Sequence, residues 1–121
     1  MPLATFRLGR RAERHAARVL RRRGFTILQK NVRLGRDEID LVALDGDTLV
    51  AVEVRYRSRG LGDAVESITP DKRRSLLRAL RALRRRERLL ETHSRIDLVA
   101  VTREGWRWRS VHVRGVVDEE G

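Results

Sequence analysis

The chain has 121 residues, 40% hydrophobic and 37% charged, enough for one modest core inside a heavily charged shell. Its 28 Lys and Arg against 17 Asp and Glu give a net charge of +11, which favours polyanionic partners and nucleic acid first. The absence of cysteine excludes disulfides, thiol catalysis and Cys-based zinc sites, no apolar run approaches the roughly 20 residues that cross a bilayer, and Met1-Pro2-Leu3-Ala4 opens no apolar signal core, so a cytoplasmic protein without a membrane role is the expectation.

Residues 8–23 read as a first helix, with Leu8, Ala12, Ala16, Val19 and Leu20 at three- and four-residue steps and arginines around the rest of the wheel. Gly24 is its stop. Phe25 to Val32 reads as a strand, Ile39 to Leu44 as a second and Leu49 to Tyr56 as a third, with Asp45-Gly46-Asp47 as a hairpin signal between the last two. Residues 57–68 read as a loop. Thr69-Pro70 then opens a second helix, Thr as N-cap and Pro at the first helical position, with Leu76, Leu77, Leu80, Leu83 and Leu90 as its apolar stripe. Ile96 to Thr102 is apolar enough for a strand covered on both faces, and Trp106 to Val113 alternates as an edge strand. The order α-β-β-β-α-β-β makes strand three, helix two and strand four a crossover unit with parallel strands. The expected fold is an α/β domain over residues 1–117, a mixed central β-sheet flanked by helices, followed by a frayed acidic tail at 118–121.

Charge is unevenly spread. Residues 1–36 carry a net +10, 37–66 carry −5, 67–95 carry +7 and 96–121 carry −1. An acidic island between basic blocks suits a metal-dependent enzyme acting on a polyanion, acids for the cation and a basic rim for phosphates. A solvated surface with acids at its turns has the same pattern. His15, His93 and His112 share no metal-ligand spacing.

The tightest hairpin, with Gly46-Asp47 at its centre, sets residue i opposite residue 93 − i, hence Asp40 opposite Glu53 and Glu38 opposite Arg55. Opposed carboxylates in so apolar a setting need a cation. Arg55, on the face of Glu53, could supply it, and an internal ion-pair network with Arg55 and Arg57 is one outcome. Mg²⁺ or Mn²⁺, which prefer hard oxygen ligands, is the other.

The segments Asp37-Glu38-Ile39-Asp40-Leu41-Val42-Ala43 and Val50-Ala51-Val52-Glu53-Val54-Arg55-Tyr56-Arg57 resemble the E-I-D…V-E-V-K-x-R signature of the YraN family, small bacterial proteins similar to the restriction-endonuclease-like, PD-(D/E)xK nucleases and Holliday-junction resolvases. Gly9, Ala12-Glu13…Ala16, Gly24-Phe25 with Asn31, Lys72 and Arg95-Ile96-Asp97 resemble further family positions, with Ala12 in place of a helix Gly and Asp37 in place of the Gly before Glu38, so the resemblance spans residues 9–102. It implies a restriction-endonuclease-like fold, with Asp40 and Glu53 as metal ligands, Glu13 as a third acid acting directly or through water, and Arg55 in the place of the superfamily's Lys. It further implies phosphodiester hydrolysis by an activated water with Mg²⁺ or Mn²⁺. Arg55 departs from the pattern in a way that matters, because Arg holds phosphate but does not relay a proton. The expectation is therefore a metal-dependent nuclease-like protein that binds DNA, with Arg10, Arg14, Arg57, Lys72 and Arg73 toward nucleic acid. The alternatives are a non-catalytic nucleic-acid-binding protein on the same fold and, less favoured, an adaptor for an acidic protein. Trp106 and Trp108 either stack on bases or cover a sheet face. Restriction-like nucleases often act as dimers, but no homodimer seam is legible.

Overall fold

The computed structural model describes residues 3–117, with side chains from Leu8 onward; the acidic tail lies outside the described residues. The elements are α1 (Leu3–Arg22), β1 (Thr26–Leu34), β2 (Asp37–Asp45), β3 (Thr48–Tyr56), α2 (Pro70–Arg86), β4 (Ser94–Glu104) and β5 (Arg107–Val117). They form one mixed sheet in the order β1-β2-β3-β4-β5, with β3 and β4 parallel and every other neighbouring pair antiparallel. This is the α/β order and the parallel crossover that the sequence predicts.

Each helix covers one face. Ala12, Ala16, Ala17 and Leu20 of α1 pack on Leu41, Ala43, Val50, Val52, Val99 and Val101. Three alanines on the buried stripe let the helix lie close to the sheet. Leu76, Leu80 and Leu83 of α2 pack on Ile39, Val42, Leu49, Ala51, Ile96 and Leu98. Shortening any one of these leucines to Ala would cost about 2–5 kcal/mol. Because β4 is covered on both sides, Ile96 to Thr102 is buried throughout.

The helix ends show how the chain places the site. α1 begins at Leu3, five residues before the expected Leu8, because residues 3–7 offer no Gly or Pro to delay it. It stops at Gly24, whose φ of +92° lets Phe25 N–H return to the Leu20 carbonyl at 3.0 Å. Thr69 Oγ1 accepts from Lys72 N–H at 3.1 Å and Pro70 sits in the first turn, fixing where α2 starts. The apolar stripe of α2 is shorter than predicted. Arg88 takes φ +56° and Leu89 N–H bonds the Arg84 carbonyl at 2.7 Å, so Leu90 falls beyond the helix and is 62% exposed.

The β2–β3 hairpin has the predicted register. Its ladder runs from Asp45–Thr48 to Leu41–Val52, every pair obeying the tight-turn rule, and ends one pair short of Asp40 and Glu53. β2 also turns over at that point. Ile39 packs on the α2 side, whereas Leu41, which ordinary alternation would put on the same face, packs on the α1 side. Opposite this slip in β1 stands Asn31, with φ +53°. Asn is among the few side chains that tolerate the left-handed region. The joint irregularity at Asn31 and Asp40 releases β2 from β3 and leaves Asp40 free to turn toward the gap.

Candidate active site

Asp40 Oδ2 accepts a hydrogen bond from the backbone N–H of Val54 at 2.8 Å, in the place of the ladder bond that the separating strands do not make. Glu53 is 5% exposed, and its negative charge acts on the Asp40 carboxyl. Burial first, then the charge of Glu53, push the Asp40 carboxyl up to about 8; Glu13 adds to the effect and the Val54 N–H opposes it. Burial and the neighbouring charge therefore favour the protonated form of Asp40.

Two cations meet Glu53. Arg55 Nε donates to Glu53 Oε2 at 3.2 Å, as expected for residues two apart on one strand. Lys72 Nζ lies 3.6 Å from the same oxygen, delivered by the capped first turn of α2. The sequence puts Lys72 among the phosphate contacts of the rim, but its ammonium sits on the acid pair. Arg57 does not extend this network; it pairs with Asp63 at 3.1 Å in the following loop. Glu38 is not opposite Arg55. The β2–β3 ladder has already ended, and Glu38 pairs with Arg33 of β1 with its side chain exposed.

Glu13 approaches from α1. Burial raises its carboxyl above the ordinary range, while a hydrogen bond with Asn31 and the charge of Arg10 act against the rise. Its own charge reaches Asp40. Among the described residues, however, no three or more His, Asp or Glu side chains gather closely enough to hold a metal ion by themselves. The arrangement is a pair, Asp40 and Glu53, with Glu13 set apart on Asn31. The donor set still suits Mg²⁺ or Mn²⁺. Mg²⁺ commonly uses one or two carboxylates and completes its shell with water and substrate phosphate.

The remaining basic candidates spread over the surface. Arg10 acts on Glu13, Arg14 lines a small basic pocket of α1, and Arg73 reaches the Val116 carbonyl at 3.5 Å instead of the acid pair. A second polar cluster stands apart from the site. Asp97, fully buried, accepts from Arg95 Nε at 2.8 Å and Gly115 N–H at 3.0 Å and meets His112 Nε2 at 2.9 Å. Arg95 also reaches Asp45 at 2.8 Å. This ties the β2–β3 turn to β4 and β5. The role of His112 has no sequence signal, although Arg95 and Asp97, two apart, foreshadow their own pair. Asn31 is the residue whose part composition and periodicity miss altogether; only its family position marks it.

The model of a family described as "Uncharacterised protein family UPF0102" matches residues 12–101. Among similar proteins, a UPF0102 protein of Prosthecochloris aestuarii is 37% identical over 107 residues, 88% of this chain and 84% of that one. One of Photorhabdus laumondii is 38% identical over 109 residues, covering 88% and 86%, and one of Carboxydothermus hydrogenoformans is 33% identical over 112 residues, covering 92% and 95%. Apart from Gly9, the motifs that resemble YraN lie inside the matched segment, and the chain belongs to the UPF0102, or YraN, family.

Proposed function

We propose that this protein is a metal-dependent, nuclease-like DNA-binding protein whose acid pair, Asp40 and Glu53, holds Mg²⁺ or Mn²⁺ and hydrolyses a phosphodiester bond. The observation that carries this reading is the convergence of two carboxyl groups, one raised to about 8, where the β2–β3 ladder ends, in a chain of net charge +11. A divalent ion bound there would activate water and neutralise phosphate charge. Glu13 lends negative charge from α1 and is held by Asn31. Arg55 and Lys72, both already on Glu53, are positioned to take a phosphate oxygen when substrate arrives. Lys72 supplies the ammonium that position 55 lacks.

A second reading has its own support. With Arg55 and Lys72 both on Glu53, the pair has internal counterions, and a nucleic-acid-binding protein without hydrolysis would need nothing more. Calorimetric titration with Mn²⁺, together with cleavage assays on linear, flapped and four-way DNA, separates the two. The first reading expects Mn²⁺ binding that disappears in Asp40→Ala and Glu53→Ala, and cutting of at least one substrate. Salt-sensitive DNA binding with neither Mn²⁺ binding nor cutting, also in Arg55→Lys, establishes the second and ends the first.

A further inference from the structure

The hairpin joining β4 to β5 ends in Trp106, which is 81% exposed. The Arg107 guanidinium lies 5.7 Å from the centre of its ring and leaves the indole open to solvent. Two residues on, Trp108 is built into the surface between β5 and α1. His15 stacks on it at 5.7 Å and 22°, Tyr56 meets it edge-on at 6.2 Å, and the Arg11 and Arg103 guanidinium carbons each lie 5.6 Å from the ring centre. Burial and the nearby Arg18 and Arg22 push the His15 imidazole down, so at pH 7 it stacks mainly as a neutral ring.

Beside this stack is a cavity of about 140 Å³ lined by Arg11, Arg14, His15, Arg18 and Trp108. Among the described residues, no carboxylate pairs with Arg11, Arg14 or Arg18. Elsewhere on the surface, exposed arginines do find acids, as in Arg78 with Asp37 and Arg109 with Glu104. Guanidiniums with no carboxylate partner among the described residues, around a small open pocket, suit an anion of phosphate size. The patch is separate from the acid pair: Tyr56 lies on the α1 face of β3, whereas Glu53, three residues earlier, faces α2 and meets Lys72.

We infer that the β4–β5 hairpin tip and the adjoining face of α1 form a separate subsite for an unpaired DNA strand, with phosphates on Arg11, Arg14 and Arg18 and a base stacked on Trp106. The inference deepens the proposed function and rests on it for the choice of DNA. Duplex bases are already stacked on one another and present no open face to a protruding indole, so the ring selects an unpaired segment. An acidic protein would match the arginines equally well but gives the open indole no partner.

Because the chain has only two tryptophans, 106 and 108, its intrinsic fluorescence reports on this patch alone. Titrating the full-length protein with a short oligothymidylate in EDTA keeps the acid pair out of the measurement. We expect quenching on binding. Trp106→Ala should lose most of the quenching and bind roughly five- to hundredfold more weakly, the range for loss of one stacked base. Trp106→Phe should stay within about threefold, and affinity for a blunt duplex should change less than twofold in both. An Arg14→Ala/Arg18→Ala variant should reduce the salt dependence of oligonucleotide binding. Unchanged oligothymidylate affinity in Trp106→Ala overturns the inference, as does tighter Trp106-dependent binding of oligouridylate or of a polyglutamate peptide. Failure of Mn²⁺ binding in the wild type is a separate result that counts against the proposed function and leaves this assay standing.

Discussion

Replacing Asp40 with Asn should remove a contribution that makes stability fall as pH rises. The Asp40 carboxyl is raised from 3.8 to about 8 in the folded chain by burial and by Glu53. Between those two values the folded protein binds a proton that the unfolded chain has released, so this group makes stability fall as pH rises, and the fall is complete above about pH 8. One pKa unit corresponds to about 1.4 kcal/mol, so the slope from this group approaches about 1.4 kcal/mol per pH unit between pH 5 and pH 8. Asn does not titrate. It keeps an oxygen for the Val54 N–H and presents an N–H₂ to Glu53, as the protonated acid does.

The difference in unfolding free energy, Asp40→Asn minus wild type, should therefore grow with pH by about 2–4 kcal/mol across that window. Contributions from His and from carboxylates other than Glu53 and Glu13 cancel in the difference. Urea unfolding in EDTA at pH 5, 6, 7 and 8 measures it directly. Parallel pH profiles for the two proteins would refute the reasoning, because Asp40 would then not share its site with a second negative charge. Repeating the series with Mn²⁺ adds a second test: under the proposed function the wild type gains stability as the ion is added and Asp40→Asn does not.

Three further outcomes follow from the same geometry. Asp97→Asn, which weakens a fully buried acceptor of Arg95, His112 and Gly115, should destabilise the chain by about 3–5 kcal/mol in thermal unfolding while leaving Mn²⁺ affinity of the folded protein within about threefold. Asn31→Gly, which keeps the φ of +53° accessible but removes the bond to Glu13, should change stability by less than about 1 kcal/mol, whereas Asn31→Val should cost about 1–3 kcal/mol, both read from urea midpoints. Thr69→Ala should cost about 1 kcal/mol by loosening the first turn of α2, and it should weaken DNA binding through the misplacement of Lys72, measured by anisotropy at low salt.

The parts of the fold that follow from local chemistry are legible in the sequence. Gly24 ends α1, Thr69-Pro70 starts α2, and Asp45-Gly46-Asp47 sets a register that holds over the whole observed ladder. The acid pair is legible for the same reason, since a tight turn and a strand period of two place Asp40 and Glu53 by counting alone. What the count does not contain is the end of the ladder at Leu41–Val52. That depends on the left-handed Asn31 in a different strand, and no pattern within 37–56 encodes it. The assignment of Leu90 to α2 fails for a related reason: the apolar spacing continues although the backbone has already left the helix at Arg88.

Lys72 marks the limit of sequence reasoning and sets the question for the chemistry. Its placement depends on where α2 docks, which is fixed by the leucines at i+4, i+8 and i+11 on its own face of the helix and by Asp37, whose two oxygens each accept from Arg78 at 2.8 Å. The helix cap then aims the ammonium at Glu53, 19 residues earlier in the chain. With Arg55 it gives Glu53 two internal counterions, whereas among the described residues Asp40 has no cationic partner and accepts from the Val54 N–H. An incoming divalent ion must therefore compete for Glu53 and is drawn by Asp40. Removing the Lys72 charge should tighten Mn²⁺ binding while weakening affinity for DNA. If Lys72→Ala instead weakens both together, the ammonium is holding the acid pair in place, and Glu53 does not exchange its internal partners for the ion.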